Sequence, residues 1–433
     1  VLAHDDHRAG TPEATPPLSD AEAGVITNFT PFLEPLPIPP NAVPVGTTNG
    51  ALLYEIPMTA ITNHSFHPEM PPVEVWGYAG TYPGPTIQAT NDHPIYVRWI
   101  DQLPLTYPAW LPADTANHGV TNQDVRNVVH LHGGASRPEY DGHPTNTFRP
   151  GISRLYLYEN IDFTGDGETL WYHDHAVGVT ANNVYAGLAG FYLLRHPGLE
   201  QSLKLPQAPY EIPLVFQDRD IQTNATSANL YFPSDRAWNW LPVVNGKVAP
   251  YLEVEPRTYR FRMLNGCVFR TIGLALVDGT NNFSMHQIGT DDGFLTNTVH
   301  IPDDVGTLRL MPGERADVLI DFGAAAQAGR TNLVLKNKFS ADSAANPPFA
   351  PVNVVGAQFM QFRVRGTPPA GGSPPIPETL IAERESAASL ALRASVTRTI
   401  TLDLRNELQN QTPGQSPPSP GPAFDADPHV FAL

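Results

Sequence analysis

The segments Val128-Val129-His130-Leu131-His132-Gly133-Gly134 and Trp171-Tyr172-His173-Asp174-His175-Ala176 carry most of the information in this 433-residue chain. Side chains two positions apart point to the same face of a β-strand, so each segment presents two imidazoles at one place. Imidazole is a common protein ligand for copper and zinc. The spacing therefore predicts that two neighbouring strands converge on one metal site that could hold more than one ion.

The composition argues against several classes of partner. The net charge is −17, which disfavours nucleic acid and anionic membranes. No run of roughly 18 or more apolar residues occurs, so no transmembrane helix is predicted. The chain begins at Val1, which indicates processing, and Asn-X-Ser/Thr sequons permit glycosylation, so we expect a secreted or extracellular protein. These sequons lie at Asn28, Asn63, Asn224, Asn282 and Asn410.

Short alternating segments predict an all-β fold. The 46 prolines and the low fraction of charged residues, 16%, favour a loop-rich β protein over a helical one. Strands at regular spacing with Gly/Pro turns indicate β-sandwiches or barrels. The predicted strands are Pro94–Ile100, Val125–His132, Leu188–Leu194, Tyr210–Phe216, Tyr259–Met263, Ala316–Phe322, Phe359–Val364 and Thr399–Leu404.

The same pattern divides the chain into five parts. We expect an extended Pro-rich arm over 1–45, a first domain with both histidine pairs over 46–196, and a second domain over 205–366. A Pro/Gly-rich linker over 367–395 leads to the start of a third, truncated domain over 396–433. So short a third unit cannot bury its own core, and the chain looks unfinished there.

Both histidine segments resemble the first two copper motifs of the multicopper oxidases. Within that family the chain is most similar to the branch of spore-coat laccases, bilirubin oxidases and phenoxazinone synthases. The resemblance runs from about residue 30 to the C-terminus. Its further motifs are Trp76-Gly77-Tyr78, Tyr82–Ile87, Asn183–Gly190, Val244–Lys247, Tyr251–Pro256 and Pro312-Gly313-Glu314-Arg315.

The resemblance implies consecutive cupredoxin-like Greek-key domains and copper as the cofactor. A type 1 copper takes electrons from the substrate, and a cluster of one type 2 and two type 3 coppers reduces O2 to water. By motif match, His130 would bind the type 2 copper. His132, His173 and His175 would bind the type 3 pair. The implied partners are O2 and a small aromatic substrate, with neither nucleic acid nor a membrane.

The other half of the implied ligand set has no match in this sequence. The family's third domain carries a His-X-X-His-X-His motif and a His-Cys-His motif, and neither occurs here. The resemblance therefore implies that type 1 copper and the remaining ligands come from a third-domain polypeptide outside this chain. The single cysteine, Cys267, has no histidine beside it, so we expect a small buried apolar side chain.

Several other residues are candidates for a functional role. Asp141 matches a carboxylate that helps deliver protons to the cluster in this branch, and the alternative is an aspartate of a turn before glycine. His196, His286 and His300 have no partner in sequence and are predicted to be structural. His64 and His67 lie in a loop-like stretch and are predicted to be structural or at the surface. His429 stands alone, and His4 and His7 in the N-terminal arm could bind copper adventitiously.

The preferred hypothesis is a copper-dependent oxidoreductase of the laccase or bilirubin oxidase type. It would couple one-electron oxidation of phenolic or related aromatic substrates to four-electron reduction of O2 to water. The alternative is a non-enzymatic cupredoxin-fold scaffold or copper-binding protein. A two-domain copper enzyme ranks last, because it needs a cysteine ligand beside a histidine.

Overall fold

The first half of the chain forms two β-sheets that share one core. The computed structural model describes residues 24–25, 29–113, 115, 120–223, 228–231, 241–268, 270–338 and 358–382. The elements of this half are β1 Gly24–Val25, β2 Gly46–Thr48, β3 Ala51–His64, β4 Val73–Tyr78, β5 Gly84–Thr90, β6 Ile95–Gln102, β7 Val129–His132, β8 Ser153–Tyr158, β9 Glu168–Asp174, α1 Thr180–Ala186, β10 Ala189–Arg195 and α2 Pro197–Ser202. One sheet has the strand order β2-β3-β6-β8 with β4 beside β3, and the other has the order β5-β10-β9-β7.

Alternation along the strands explains this core. On β6, Ile95, Val97 and Trp99 are buried while the residues between them are partly exposed. The Trp99 ring lies 5.0 Å from the Tyr172 ring of the opposite sheet. Strand β9 differs, because every one of its residues is buried. A strand that is buried on both faces must be covered by more than one layer.

The second half of the chain repeats the two-sheet arrangement. The elements are β11 Glu211–Thr223, β12 Ala228–Tyr231, β13 Leu241–Val244, β14 Lys247–Val248, β15 Tyr251–Val254, β16 Thr258–Asn265, β17 Ile272–Asp278, β18 Asn281–Phe283, β19 Met285–Thr290, β20 Gly293–Ile301, β21 Leu308–Leu310, β22 Arg315–Asp321, α3 Phe322–Gln327, β23 Asn332–Asn337 and β24 Gln358–Val364. One sheet has the order β14-β13-β11-β16-β22-β19-β20, and the other has the order β15-β24-β23-β17-β18. Strands β1 and β12 add to β11, and β21 adds to β17.

The all-β prediction is confirmed, with one strand shorter than predicted. The predicted strand Val125–His132 pairs only from Val129 onward. Asn127 instead forms an isolated bridge to Phe148, and the Val128 N–H donates to the Asp174 carboxylate. The predicted strand Thr399–Leu404 and the predicted third domain lie outside the described residues. No described helix has the length and apolarity that a bilayer span requires.

The proline-rich segment before β2 runs across both halves. Phe32 N–H donates to the Ala249 carbonyl at 2.8 Å, and Leu36 N–H donates to the Tyr251 carbonyl at 2.6 Å. Further along, Ala42 N–H donates to the Thr86 carbonyl at 2.8 Å. The segment thus uses its backbone to tie the second half to the first.

Apolar residues of β9, β10, β11 and β16 join the two halves at their facing sheets. They form one small buried cluster of Trp171, Ala189, Phe191, Leu193, Val215 and Leu264. Trp171 therefore packs toward the second half, while its neighbour Tyr172 packs into the core of the first.

A buried network of charges lies beside this apolar cluster. Asp317 on β22 contacts both Arg260, at 2.5 Å, and Arg262, at 3.2 Å. Glu211 pairs with Arg262 at 2.8 Å and with Arg195 at 2.7 Å. Burial alone would raise the pKa of Glu211, but the arginines outweigh it and hold that pKa well below its usual range. Each buried charge is therefore compensated by an opposite one.

Replacing Asp317 with Asn tests the contribution of this network. The change leaves Arg260 and Arg262 with less negative charge in a buried site, which costs about 3–5 kcal/mol in comparable cases. We expect a clearly lower midpoint of thermal unfolding. The control is Glu55→Gln, which breaks the exposed pair with Arg98 and should cost at most about 1 kcal/mol. Equal midpoints for the two variants would contradict the structural role of the network.

Candidate metal centre

Strand pairing brings the two histidine segments together. His130 and His132 lie on β7, His173 lies on β9, and His175 directly follows β9. The antiparallel register places His130 opposite His173 and His132 opposite Trp171. His175 N–H then donates to the Val128 carbonyl at 2.8 Å. All four histidines selected from the sequence therefore meet at one patch of the sheet.

The four imidazole rings are close neighbours. The ring centroids of His130 and His175 are 5.2 Å apart, and those of His132 and His173 are 5.5 Å apart. One ring nitrogen from each of His130, His132 and His173 lies within 4.8 Å of the others. His132 Nδ1 is 3.3 Å from His173 Nε2. Among the described residues, these three form the one group of three potential ligands at such short range.

Backbone carbonyls fix which nitrogen can bind a metal. His130 Nδ1 is 2.5 Å from the Asp141 carbonyl, and His173 Nδ1 is 2.6 Å from the Asp174 carbonyl. A carbonyl only accepts, so each Nδ1 carries the proton and each Nε2 keeps a lone pair. His175 Nδ1 is buried without a hydrogen-bond partner. Such an orphaned nitrogen fits a site in which a metal ion completes the bonding.

Burial favours the neutral form of three of these imidazoles, the form that binds a metal ion. Burial lowers the pKa of His132 to about 3, with Arg315 and His130 adding to the effect. Burial and the neighbouring His130 and His132 hold the pKa of His173 well below its usual range. Burial, and after it the neighbouring His130, also lowers the pKa of His175. The lone pairs of these rings are therefore available near neutral pH.

Trp171 supports two of the rings by stacking. Its ring lies 4.0 Å from that of His173 with an interplanar angle of 27°. It also lies 5.2 Å from the ring of His132 at 29°. Trp171 and His173 share a face of β9 because they are two residues apart. The tryptophan thus limits the orientations that both imidazoles can adopt.

The second half of the chain supplies one wall of the site. Gly313, in the turn before β22, is so near that a Cβ there would lie 3.4 Å from His132 Cε1. Arg315 donates to the Thr169 carbonyl at 2.7 Å and to the Gly313 carbonyl at 3.0 Å. It also pairs with Asp291 at 2.9 Å. Arg315 therefore clamps the turn of the second half onto β9 of the first.

Two aspartates border the histidines in different ways. The Asp174 carboxylate is buried and accepts from the N–H groups of Val128 and Ala176. Burial raises the pKa of Asp174 to about 7. The Asp141 carboxylate is partly exposed, with Oδ1 3.4 Å from His130 Nδ1. Asp141 is thus placed between the histidines and solvent.

Most of the remaining candidates lie away from this site and have structural partners. Cys267 is buried in the core of the second half, and burial holds its thiol pKa well above the usual range. His64 Nε2 contacts the Gly246 carbonyl, His67 Nε2 contacts the Thr30 carbonyl, and His196 accepts from Leu199 N–H at the start of α2. His286 and His300 contact each other, which the sequence did not suggest. His429 lies outside the described residues.

Sequence reasoning missed two residues that shape the site. The Trp171 position, two residues before His173, could have been recognised from strand periodicity alone. Arg315 carries a weaker signal in the sequence, since its only mark is membership of the family motif Pro312-Gly313-Glu314-Arg315. Its contact with Thr169 spans 146 residues and follows from the packing of the two halves.

Fold and site together define a protein of cupredoxin-like β-sandwiches with a polyhistidine centre. The family model described as Multicopper oxidase matches residues 113–198, the region that holds both histidine pairs. A laccase of Bacillus subtilis (strain 168) is 37% identical over 360 residues, which are 77% of this chain and 65% of that protein. A laccase of Bacillus stratosphericus is 39% identical over 365 residues, 78% of this chain and 66% of that protein.

A solved structure extends the same comparison. The McoA multicopper oxidase of the hyperthermophile Aquifex aeolicus matches with a TM-score of 0.62 and 25% identity, over 82% of this chain and 69% of that one. The chain belongs to the multicopper oxidase family. It spans just under two thirds of the length of the two laccases.

Gly142 provides a test of how the loop after β7 holds His130. Its φ is +78°, and a Cβ would lie 2.1 Å from the Val129 carbonyl oxygen, so Gly142→Ala should displace β7. We expect a lower unfolding midpoint and less bound copper, measured by atomic absorption. Gly151→Ala is the matched control, because its φ is +89° with open space around it. The control should cost only the backbone strain, roughly 1–2 kcal/mol. Equal copper contents in both variants would contradict the prediction.

Proposed function

We propose that this chain is the histidine-bearing part of a laccase-like multicopper oxidase. The reaction is one-electron oxidation of phenolic or related aromatic substrates, coupled to four-electron reduction of O2 to water. The observation that carries the proposal is the convergence of four imidazoles, those of His130, His132, His173 and His175, on one partly buried patch. The sequence similarity to two laccases also supports the proposal. A pure scaffold would have no need of this arrangement.

The donor set fits copper. In the proposal His130 holds the type 2 copper, and His132, His173 and His175 hold the type 3 pair. Bound copper supplies the one-electron redox chemistry by which O2 takes up four electrons within one site. The free nitrogens are Nε2 of His130 and of His173, since their Nδ1 atoms contact carbonyls. The short approach of His132 Nδ1 to His173 Nε2 is suited to two ligands of one ion of the type 3 pair.

The rest of the chain holds these ligands in place and keeps water out. Trp171 packs on His132 and His173, and the Gly313 turn, held by Arg315, covers His132. The buried Asp174 carboxylate fixes the backbone on both sides by accepting from Val128 and Ala176. Ligand rings that are held by packing need little reorganisation during turnover.

Asp141 is proposed to hand protons to the site. Reduction of O2 to water consumes protons, and a partly exposed carboxylate beside His130 can collect them from solvent. Its backbone carbonyl holds the His130 ring at the same time. Asp141 therefore combines positioning of a ligand with delivery of protons.

The remaining parts of the enzyme are proposed to lie outside these 433 residues. The sequence contains no His-Cys-His motif, which in this family binds type 1 copper and completes the type 3 ligands. A third-domain polypeptide would supply both, together with the side of the substrate site that faces type 1 copper. The proposal therefore concerns the complete oxidase and assigns this chain half of its cluster ligands.

Alanine at His132 or at His175 tests the ligand assignment. Each change removes one imidazole ligand from the proposed type 3 pair. O2 uptake by the copper-loaded complete oxidase, which includes the proposed third-domain polypeptide, should therefore be abolished. The blue absorption of type 1 copper should remain, because that site is elsewhere. His93→Ala is the control, an exposed histidine in a turn, and it should retain full oxygen uptake. Oxygen uptake that survives in either of the first two variants would refute the assignment.

Asp141→Asn tests the proton role. The amide keeps the backbone contact with His130 but cannot supply a proton, so O2 reduction should slow while copper content stays the same. General acids contribute about 10²–10⁴-fold, and a drop of at least about ten-fold is expected. Glu139→Gln, an exposed acid of the same loop, is the control. An unchanged oxygen-electrode rate for Asp141→Asn would rule out the proton role.

A further inference from the structure

A second histidine pair lies in the second half of the chain. His286 on β19 and His300 on β20 are directly opposite each other in the antiparallel register. Their Nδ1 atoms are 2.9 Å apart, and the rings are almost perpendicular, at 86°. The pair lies apart from the first histidine site. Arg315 at the start of β22 is next to that site, whereas His286 lies opposite Leu319, four residues further along β22.

A carboxylate orients one of the two rings. Glu378 Oε2 lies 3.1 Å from His300 Nε2. An ionised carboxylate only accepts, so this nitrogen carries the proton and Nδ1 of His300 presents its lone pair to His286. Around a metal-binding histidine, a carboxylate usually accepts a hydrogen bond from one ring nitrogen while the metal ion binds the other. Glu378 has the position of that carboxylate.

The surroundings suit a cation. Burial is the largest cause that lowers the pKa of His286, and the nearby His300 is the next, so this ring is neutral near pH 7. The negative charges of Asp321, Glu378 and Asp303 act on His286 in the opposite direction. A neutral ring among carboxylates can accept a metal ion whose charge those carboxylates compensate.

We propose that His286 and His300 form a separate site for a late first-row divalent cation, with Zn²⁺ as the representative ion. Ligand nitrogens about 2.0–2.1 Å from such an ion are about 2.8–3.4 Å apart for angles between square-planar and tetrahedral. The observed 2.9 Å lies inside this range. The two Nδ1 atoms bind the ion and water fills its other positions, while Glu378 stays bonded to His300 Nε2.

The site also connects β20 to the segment that follows the second half. Thr298 N–H donates to the Glu378 carbonyl at 2.9 Å, and Leu380 N–H donates to the Thr296 carbonyl at 3.0 Å. A bound ion strengthens the contact between His300 and Glu378 by polarising the imidazole. Metal binding should therefore hold this segment against the edge of β20.

The test counts metal per chain. Copper-loaded protein is dialysed against Zn²⁺, and total zinc plus copper is measured by mass spectrometry, so that either ion in the site is counted. His286→Ala and His300→Ala should each bind one ion fewer than the wild type. His93→Ala should bind the same number. Glu378→Gln, at an exposed side chain, should reach the same saturation with roughly 10–100-fold weaker affinity.

A second measurement covers the case in which an alanine variant folds poorly. Hydrogen exchange of the Thr298 and Leu380 amides should slow on addition of Zn²⁺ in the wild type, and the effect should weaken in Glu378→Gln. Equal metal counts in the wild type and both alanine variants would overturn the proposal. Amide exchange rates that do not change when Zn²⁺ is added to the wild type would also overturn the proposal. The contact between His286 and His300 would then be only a hydrogen bond between two imidazoles.

Discussion

The antiparallel pairing of β7 with β9 is the constraint on which the rest of this structure depends. Because side chains alternate, a slip of one residue would turn every histidine to the opposite face. Tyr172 fixes the register: it is buried beside Trp99 and donates to the Pro85 carbonyl at 2.7 Å. With Tyr172 directed into the core, the flanking Trp171 and His173 must point the other way, toward the proposed metal centre.

The second constraint is that the other face of β9 is closed by the second half of the chain. The turn at Gly313 and the guanidinium of Arg315 reach the site across the boundary between the halves. This wall contributes to the low pKa of His132 through the charge of Arg315. The first half alone would leave His132 and Trp171 open to water, so a closed site requires both halves.

Sequence reasoning found the regular parts well and the contacts between distant elements poorly. The strands at Ile95 and Tyr259 are visible because their alternation of apolar and polar residues is local, and the strand at Ala316 because it follows a local Pro-Gly turn. The sequence pattern predicts none of the three described helices, α1, α2 and α3. The His286–His300 contact was missed because it depends on a hairpin with a register shift between Gln287 and Gly289. No periodicity within a single strand encodes that shift.

The sequence by itself determined that the protein is all-β, that it resembles multicopper oxidases, and which four histidines to examine. These conclusions rest on local spacing, which fixes the face of a strand on which each side chain lies. Tertiary structure alone decided which nitrogen of each ring is free, how deeply the rings are buried, and that Arg315 and Gly313 complete the wall. Such properties depend on atoms that are far apart in the chain, and only packing brings those atoms within bonding distance.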